Sequence, residues 1–357
     1  GNTPLKWFPS YLNNRRQFVN INDTDSSTLN LSTGVPQGSI LGPLLFIIYM
    51  NDIHVSSDIF EFILFADDTN LSSTLRTFAS NNLSNDINYE LNKISDWLIV
   101  NKLSLNIKKT KFMVFHHRQK VLTENMIPEL AINNTIIERV KEFDFLGLTL
   151  NENMDWSSHC HKIANKISRI LGVMNRLKHY LPTSVLTTIY NSLILSHLQY
   201  CLTVWGYEHN RLTKLQKRAI RIISCNKYNA HSEPILKNLK LLKLEDLLKV
   251  RCLKLYYKFH HGTLPVYFST FFITNSTIHN YPTRDCNKLH VFKTKTQHAS
   301  RCIRHYIPNL VNSTPDTILS KINSHSFEGF GKYIKHYFLQ NYSSDCVKPN
   351  CYVCNKK

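Results

Sequence analysis

The stretch Phe62-Ile63-Leu64-Phe65-Ala66-Asp67-Asp68-Thr69-Asn70-Leu71 decides the interpretation of this chain, because it places two adjacent carboxylates within an apolar run. Its flanks, Phe60 to Phe65 and Thr69 to Leu71, predict two strands joined by a tight hairpin with Asp67 and Asp68 at the tip. Two like charges side by side are costly to bury unless a cation neutralises them, and carboxylate oxygens at this density suit Mg²⁺. An ordinary Asp-Asp turn is the alternative interpretation, since Asp is common in turns.

The segment upstream of this hairpin combines a turn-rich loop with an apolar run. Gly34-Val35-Pro36-Gln37-Gly38 lies about 30 residues before the carboxylate pair. The run from Ile40 to Ile53 follows, and we interpret it as a buried helix with Ser39 as its N-cap.

Downstream of the hairpin the apolar pattern changes along the chain. Apolar residues spaced three and four apart from Leu83 to Leu98 predict an amphipathic helix. Short strands are predicted within 103–107, 112–115, 130–137 and 143–150. From about residue 156 to 260 nearly every segment has helical period.

Charge is distributed unevenly between the two parts of the 357-residue chain, whose net charge is +18. Residues 1–150 hold 13 Lys and Arg against 15 Asp and Glu, whereas residues 151–357 hold 30 against 10. A field this lopsided favours a polyanion, with nucleic acid as the first candidate and an acidic membrane as the second.

The composition indicates a folded protein that is neither secreted nor embedded in a membrane. At 43% hydrophobic and 19% charged residues, the chain has the composition of a folded protein. Its longest nearly apolar run, about 12 residues, is too short to span a bilayer. An odd number of cysteines, nine, without an apolar signal stretch favours reduced thiols. We therefore expect a protein in the nucleus or cytoplasm that is not secreted and has no membrane partner.

Several further motifs follow the Asp pair in order. They are Trp97-Leu98, Asn101-Lys102-Leu103-Ser104-Leu105-Asn106, Lys109-Thr110-Lys111 and Phe145-Leu146-Gly147. Together with the Gly34–Gly38 loop and the Phe-Ala-Asp-Asp box, this series resembles the reverse transcriptases of non-LTR (LINE-type) retrotransposons, especially the jockey-like elements. The resemblance is dense over about 32–150 and weaker to about 265.

The resemblance implies a role for each motif in template-directed DNA synthesis. Asp67 and Asp68 would hold Mg²⁺ or Mn²⁺ for phosphoryl transfer. Gly34, Pro36, Gln37 and Gly38 would line the nucleotide and template. The partners implied are an RNA template, a DNA primer or product duplex, and deoxynucleoside triphosphates.

Two motif assignments keep a structural alternative. Lys109 is a candidate to neutralise or protonate departing pyrophosphate, and the alternative is a solvated lysine in a basic turn. Phe145, Leu146 and Gly147 resemble the hairpin that grips the primer end, and the alternative is core packing with a glycine turn.

The family also has an earlier strand with another metal-binding aspartate and an aromatic residue that tests the sugar 2′ position. Gly1 to Asn30 resembles the stretch after that strand. Asp23 and Asp25 lie in a polar loop with no apolar strand before them, so we accept neither as a substitute. Losing a bridging carboxylate lowers the rate by roughly 10³-fold or more. We therefore expect that residues 1–357 alone do not polymerise DNA.

The basic half is interpreted as a helical region that holds a nucleic-acid duplex by its backbone. Such contacts are independent of sequence and sensitive to salt. A solvated cationic helix face is the alternative. The candidate residues are Lys162, Lys166, Arg169, Arg176, Lys217, Arg218 and Arg221.

Cysteines near the C-terminus raise the question of zinc. Cys346, Cys351 and Cys354, with His336 upstream, supply four potential ligands. Their spacing matches no standard zinc ribbon or finger, so a basic tail is the favoured interpretation.

The fold expected from these patterns is α+β. An incomplete reverse-transcriptase palm, an antiparallel sheet with helices, is predicted over 1–150. A basic helical thumb follows over 151–265, and an appendage of uncertain fold over 266–357. Two functions remain open: a truncated part of a working RNA-directed DNA polymerase, and a non-catalytic remnant that binds nucleic acid.

Overall fold

A computed structural model of the chain describes residues 3–74, 83–120, 122–123, 127–207, 210–278 and 284–344. These residues form a mixed structure of helices and small sheets. The chain divides into two compact units, Gly1–Lys141 and Glu142–Lys357. No helix among the described residues is both long and apolar enough to cross a membrane.

The first unit contains short strands between a few helices. Its helices are α1 (Thr3–Leu12), α2 (Leu41–Met50) and α3 (Leu83–Val100), with a 3₁₀ turn at Ile53–Ser56. Its strands are β1 (Arg15–Gln17), β2 (Asn20–Ile21), β3 (Thr24–Asp25), β4 (Leu29–Leu31), β5 (Glu61–Phe65), β6 (Asp68–Ser72), β7 (Lys111–Phe112), β8 (Ala131–Ile132), β9 (Thr135–Ile136) and β10 (Glu138–Arg139).

The second unit begins with a hairpin and is otherwise helical. Its strands are β11 (Glu142–Phe145) and β12 (Leu148–Asn151). Its α-helices are α4 (Ser157–Leu177), α5 (Thr183–Ile189), α6 (Ser196–Gln199), α7 (Leu202–Trp205), α8 (Asn210–Ile223), α9 (Ser232–Asn238), α10 (Leu244–His260), α11 (Asn275–Ile278), α12 (Gln297–Ser300), α13 (Ile303–Ser313), α14 (Asp316–Leu319), α15 (Lys321–Ser324) and α16 (Phe327–Gln340). A π-helical segment, Tyr190–Leu195, joins α5 to α6, and a 3₁₀ turn spans Val266–Thr270.

The described strands pair two by two. The antiparallel pairs are β1–β4, β2–β3, β5–β6, β8–β9 and β11–β12, and β7 pairs with β10 in parallel. The sequence predicted one antiparallel sheet with helices. Within the described ranges the strands instead form six separate two-stranded sheets.

Several local predictions for the first unit are confirmed, and the strand predicted within 103–107 is wrong. The hairpin around the carboxylate pair and the amphipathic helix α3 form as the periodicity indicated. No strand forms within 103–107. The backbone there closes α3 instead, because the Leu103 amide donates to the Leu98 carbonyl, and the turn at Asn106 accepts from Lys109 and Thr110.

The helix predicted after the Gly-rich loop forms as α2, but its predicted burial is wrong. Ile40 is 95% exposed, and Leu44, Ile47 and Ile48 are also exposed. Met50 of α2 is buried in a core with residues of α3 and the β5–β6 hairpin, and Phe46 packs against that core. Apolar composition predicted burial on all sides, but the described residues of this unit cover the side of the helix that carries Gly42, Phe46 and Met50.

The second unit has one extensive core, and apolar side chains at the predicted helical spacing form part of it. The buried side of α4 carries Ile163, Ile167, Leu171 and Met174, which are at most 6% exposed. Residues beyond 266, expected to form an appendage, contribute to the same core. Ile307, Phe330 and Ile334 are fully buried examples.

Candidate functional site

The carboxylate pair lies on a two-residue turn between β5 and β6. Phe65 pairs with Asp68, so Ala66 and Asp67 form the turn, and Ala66 has a positive φ of 52°. A positive φ is uncommon for a residue with a side chain and occurs mainly in tight turns. Both carboxylates are exposed to solvent.

The two faces of this hairpin differ in what they contact. Phe62 and Leu71 are opposite each other and pack against Met50 and Ile94. Because side chains alternate along a strand, Asp68 lies on the other face, with the Ile63–Asn70 pair. The apolar face therefore anchors the hairpin while Asp68 faces away from the core.

The donor set at the hairpin tip suits a hard divalent cation in part. Asp67 and Asp68 supply carboxylate oxygens, and Mg²⁺ commonly takes one or two carboxylates and completes its shell with water and phosphate. The amide nitrogen of Asn70, on the same face as Asp68, is buried and has no hydrogen-bond partner among the described residues. Within the described ranges, no cluster of three or more potential metal ligands occurs.

The Gly34–Gly38 loop is held by two side chains that the sequence did not indicate. The Arg15 guanidinium donates to the carbonyls of Thr33 and Gly34, and the Tyr11 hydroxyl donates to Ser39 Oγ at 2.6 Å. Both residues come from the segment that includes α1 and β1, about 20 to 30 residues upstream.

Positions 34 and 38 of the loop favour glycine because the backbone has a positive φ at both. Gly34 and Gly38 have φ of 79° and 76°, and an added Cβ at either would meet no atom within 4 Å. Ser39 was predicted to be the N-cap of α2, but Ile40 occupies that position. Ser39, one residue earlier, still accepts from the Gly42 amide through its Oγ at 3.0 Å. Gln37 is exposed at the surface of the loop.

Lys109 lies in an exposed turn. Its amide donates to the Asn106 side chain and carbonyl, while its ammonium has no partner among the described residues. This environment fits a solvated lysine and also leaves the charge accessible to an anion. Its catalytic role remains a prediction.

The Phe145-Leu146-Gly147 motif forms the tip of the β11–β12 hairpin. Leu146 and Gly147 both have positive φ, 46° and 79°, as expected for a type I′ turn. The Tyr200 hydroxyl donates to the Leu146 carbonyl at 2.6 Å, and the Trp205 indole donates to the Tyr200 carbonyl at 2.7 Å. The turn is thus attached to the core of the second unit through Tyr200, a contact that the sequence did not indicate.

A charged network lies at the base of this hairpin. Lys162 forms an ion pair with Asp144 at 2.8 Å, and Thr149 Oγ1 donates to the same carboxylate oxygen at 2.6 Å. These hydrogen bonds, from Lys162 first and then Thr149, lower the pKa of Asp144. His159 is buried beside them, with its Nδ1 accepting from the Thr149 amide at 3.2 Å.

The seven candidate backbone-binding residues fall into two groups. Lys162 pairs with Asp144, and Arg221 is half-buried with its Nε donating to the Ala230 carbonyl at 2.7 Å. Burial lowers the pKa of Arg221. The other five, on α4 and α8, have no ion-pair or hydrogen-bond partner for the side chain among the described residues: Lys166, Arg169, Arg176, Lys217 and Arg218.

Three of the four potential zinc ligands, Cys346, Cys351 and Cys354, lie outside the described residues. His336 lies on α16, where its Nε2 is 2.9 Å from the Gln340 amide nitrogen.

Comparison with known proteins supports the motif series. Residues 2–150 match the family described as reverse transcriptase (RNA-dependent DNA polymerase). The chain is 25% identical over 254 residues to the RNA-directed DNA polymerase from mobile element jockey of Drosophila melanogaster, covering 67% of this chain and 27% of that protein. It is 24% identical to the probable RNA-directed DNA polymerase from transposon X-element of the same species, covering 66% and 26%.

A third relative gives the same result. The probable RNA-directed DNA polymerase from transposon BS of Drosophila melanogaster is 24% identical over 252 residues, covering 66% of this chain and 27% of that protein. The chain thus spans about a quarter of the length of the curated relatives it matches. These matches confirm the resemblance on which the motif assignments rest.

Proposed function

We propose that this chain, as a relative of the reverse transcriptases of non-LTR retrotransposons, carries part of the site of an RNA-directed DNA polymerase. The reaction would extend the 3′-hydroxyl of a primer with deoxynucleotides copied from an RNA template. The observation that carries this proposal is the position of Asp67 and Asp68, adjacent and exposed at the tip of a hairpin within the matched region.

Asp67 and Asp68 would hold Mg²⁺ or Mn²⁺. The bound metal would supply stabilisation of the negative charge on the attacking and leaving oxygens during phosphoryl transfer. Anchoring of the hairpin by Phe62 and Leu71 supports this role, because it fixes the carboxylates relative to α2 and α3.

The remaining motifs would bind and orient the substrates. The Gly34–Gly38 loop lets backbone approach a nucleotide closely, with Gln37 free to hydrogen-bond. The N-terminus of α2 follows directly, and the positive end of its helix dipole favours phosphate. Lys109 would neutralise or protonate pyrophosphate. The hairpin tip Phe145–Gly147 would position the primer end.

We assign the role of palm to 1–150 and that of basic thumb to 151–265, with 266–357 as a further region. Five accessible cations on α4 and α8 support a duplex-binding role for the helical part, since backbone contacts require charge without sequence-specific geometry. Lys162 and Arg221 would act differently, by fixing local structure through Asp144 and Ala230.

A second candidate function is non-catalytic binding of nucleic acid. The observation that favours it is the lack, among the described residues, of a third metal ligand beside Asp67 and Asp68. A polymerase site with two carboxylates and no further donor loses charge stabilisation in the transition state. We therefore expect residues 1–357 alone to bind a primer–template without extending it.

Metal-directed cleavage tests the carboxylate pair separately from polymerisation. Fe²⁺ with ascorbate and peroxide would occupy a Mg²⁺ site and cut the backbone beside it. We expect cleavage near residues 67–68 that is lost in Asp67→Asn/Asp68→Asn. The matched control is Asp23→Asn/Asp25→Asn, which changes the net charge equally in an exposed polar loop. Unchanged cleavage in the first variant would remove the pair as a metal site.

Primer extension on an RNA template then separates the two functions. Binding of the primer–template without extension in Mg²⁺ or Mn²⁺ is the result expected for residues 1–357. Sustained extension that Asp67→Asn abolishes would show that the chain is a polymerase by itself. Extension unaffected by Asp67→Asn would contradict the assignment of this carboxylate.

A further inference from the structure

A cavity of about 440 Å³ opens on the second unit between α10, α16 and the segment that ends in α6. Its inner surface is apolar and includes Leu195, Leu247 and Val250. The volume lies within the range of small-ligand sites, about 300–1,000 Å³. A nucleic-acid duplex is too wide to enter a cavity of this volume, whereas a single unstacked nucleotide is of suitable size.

The rim of the cavity is strongly cationic. Arg251, Lys254, Lys332 and Lys335 line it, and Glu328 is the carboxylate among the lining residues. Four positive charges against one negative charge favour an anion at this position.

Two of these cations are fixed by contacts within the protein. Lys254 pairs with Glu328 at 3.2 Å and lies 3.9 Å from the centre of the Phe327 ring. Arg251 donates to the Gln199 side chain at 2.7 Å. These contacts hold both cations at the rim and neutralise Glu328, so the carboxylate does not oppose an anionic ligand.

The other two cations are available to a ligand. Lys332 and Lys335 are exposed on α16, one turn apart, and neither has an ion-pair partner in the part of the chain that the structure describes. Gly331 beside them is buried, and a Cβ there would lie 3.1–3.3 Å from the Lys254 side chain. The absence of a side chain at this position lets Lys254 cross the helix surface toward the cavity.

We propose that this cavity binds one nucleotide of a single-stranded nucleic acid. Lys332 and Lys335 would hold its phosphate, and the base would lie against the apolar surface formed by Leu195, Leu247 and Val250. Single strands offer unstacked bases together with backbone charge, and this combination matches an apolar cavity with a cationic rim. The residues involved lie outside the region matched to the polymerase family and take no part in the proposed phosphoryl transfer.

Binding of a labelled oligouridine of about ten nucleotides to the full chain tests this site. Fluorescence anisotropy is measured across salt concentrations in EDTA, so the result is independent of metal at Asp67 and Asp68. Lys332→Ala/Lys335→Ala is expected to weaken binding and to reduce the slope of log K against log salt by about 1.4. The matched control is Lys293→Ala/Lys295→Ala, which removes two exposed lysines away from the cavity. Equal effects of the two variants would overturn the proposal.

Three further ligands test what the cavity recognises. An abasic oligonucleotide with the same number of phosphates should bind more weakly than oligouridine, and equal binding would contradict the role of the apolar surface. A duplex of the same length should bind with the same affinity to the cavity variant and to the unsubstituted chain. A cavity variant that loses binding to phosphatidylserine vesicles but retains oligouridine binding would assign the site to an acidic membrane instead.

Discussion

The hydroxyl of Tyr200 donates to the carbonyl of Leu146 across 54 residues of sequence, at 2.6 Å. Leu146 has a positive φ, which is strained for a residue with a large side chain. The hydrogen bond stabilises this conformation because it holds the turn in a fixed position beside the helical core. The Trp205 indole continues the connection through the Tyr200 carbonyl.

Removing the Tyr200 hydroxyl should loosen the hairpin tip without unfolding the unit. Tyr200→Phe is expected to lower the free energy of unfolding by about 1 kcal/mol, the usual net value of one hydrogen bond. If the tip positions a primer end, affinity for a primer–template should also fall. Urea denaturation and anisotropy measure the two effects.

Tyr180→Phe provides the control for this substitution. Tyr180 is 83% exposed, and its hydroxyl has no hydrogen-bond partner among the described residues. Its removal should change neither stability nor affinity. A Tyr200→Phe variant with unchanged stability would show that the contact contributes nothing to the fold.

Alanine at two glycines of the second unit should act in opposite directions. Gly147→Ala places a side chain at φ 79° with its Cβ 3.3 Å from the Tyr200 ring, and should destabilise the protein by about 1 kcal/mol or more. Gly172→Ala lies in the interior of α4, where a Cβ meets no atom within 4 Å, and should stabilise it by about 0.5–1 kcal/mol. Thermal unfolding of both variants shows whether each substitution raises or lowers stability. Stabilisation by Gly147→Ala would contradict the turn conformation.

Local patterns in the sequence predicted those helices and hairpins whose apolar residues have a regular spacing or whose strands flank a recognisable turn. The hairpin at Asp67–Asp68 and helix α3 are such cases, because alternation and i+3, i+4 spacing depend only on neighbouring residues. The exposure of α2 could not be predicted this way. Its apolar composition indicates burial, but which residues cover a helix depends on tertiary packing.

Contacts between distant residues account for most of what the sequence did not indicate. Tyr200 and Arg15 hold the turns of two motifs, yet nothing in the composition around either residue distinguishes it. Lys162 and Arg221 have the same periodicity as the exposed cations, and only their partners, Asp144 and Ala230, distinguish them.

Acidification should destabilise the second unit through His159. Burial lowers the pKa of this imidazole below its ordinary value of 6.5, an effect that Lys162 and Lys166 reinforce and Asp144 opposes. The unfolded chain therefore takes up the proton first as pH falls. The stability contributed by neutral His159 is present above pH 6.5 and is lost below it. Protonation also removes the acceptor for the Thr149 amide.

The pH dependence of unfolding between 7.5 and 5.5 measures this effect. The free energy of unfolding should fall with decreasing pH, by at most about 1.4 kcal/mol per unit from this group. His159→Phe, which retains ring packing on Trp205, should reduce that slope, whereas His179→Gln at an exposed position should not. Identical slopes in all three proteins would exclude His159 as the titrating group.

The segment that ends in Tyr342 should be essential to the stability of the second unit. The Tyr342 hydroxyl donates to Asp246 at 2.6 Å and accepts from the Lys243 amide at 2.8 Å, while Lys237 donates to the Tyr342 carbonyl at 2.7 Å. Burial raises the pKa of Tyr342 above its ordinary value, so it remains a neutral donor to the Asp246 carboxylate. Lys243 and Asp246 lie at the start of α10, and Lys237 lies near the end of α9, all about 100 residues before Tyr342 in the sequence.

Tyr342→Phe is therefore expected to cost more than Tyr200→Phe, about 2 kcal/mol, because it leaves a buried carboxylate oxygen and a backbone amide without their partner. Tyr337→Phe is the matched control, since Tyr337 packs on the same core and its hydroxyl has no hydrogen-bond partner among the described residues. Urea denaturation of the three variants shows which of them loses the most free energy of unfolding. A loss for Tyr342→Phe no greater than for Tyr337→Phe would mean that the hydrogen bonds of the Tyr342 hydroxyl do not stabilise the unit.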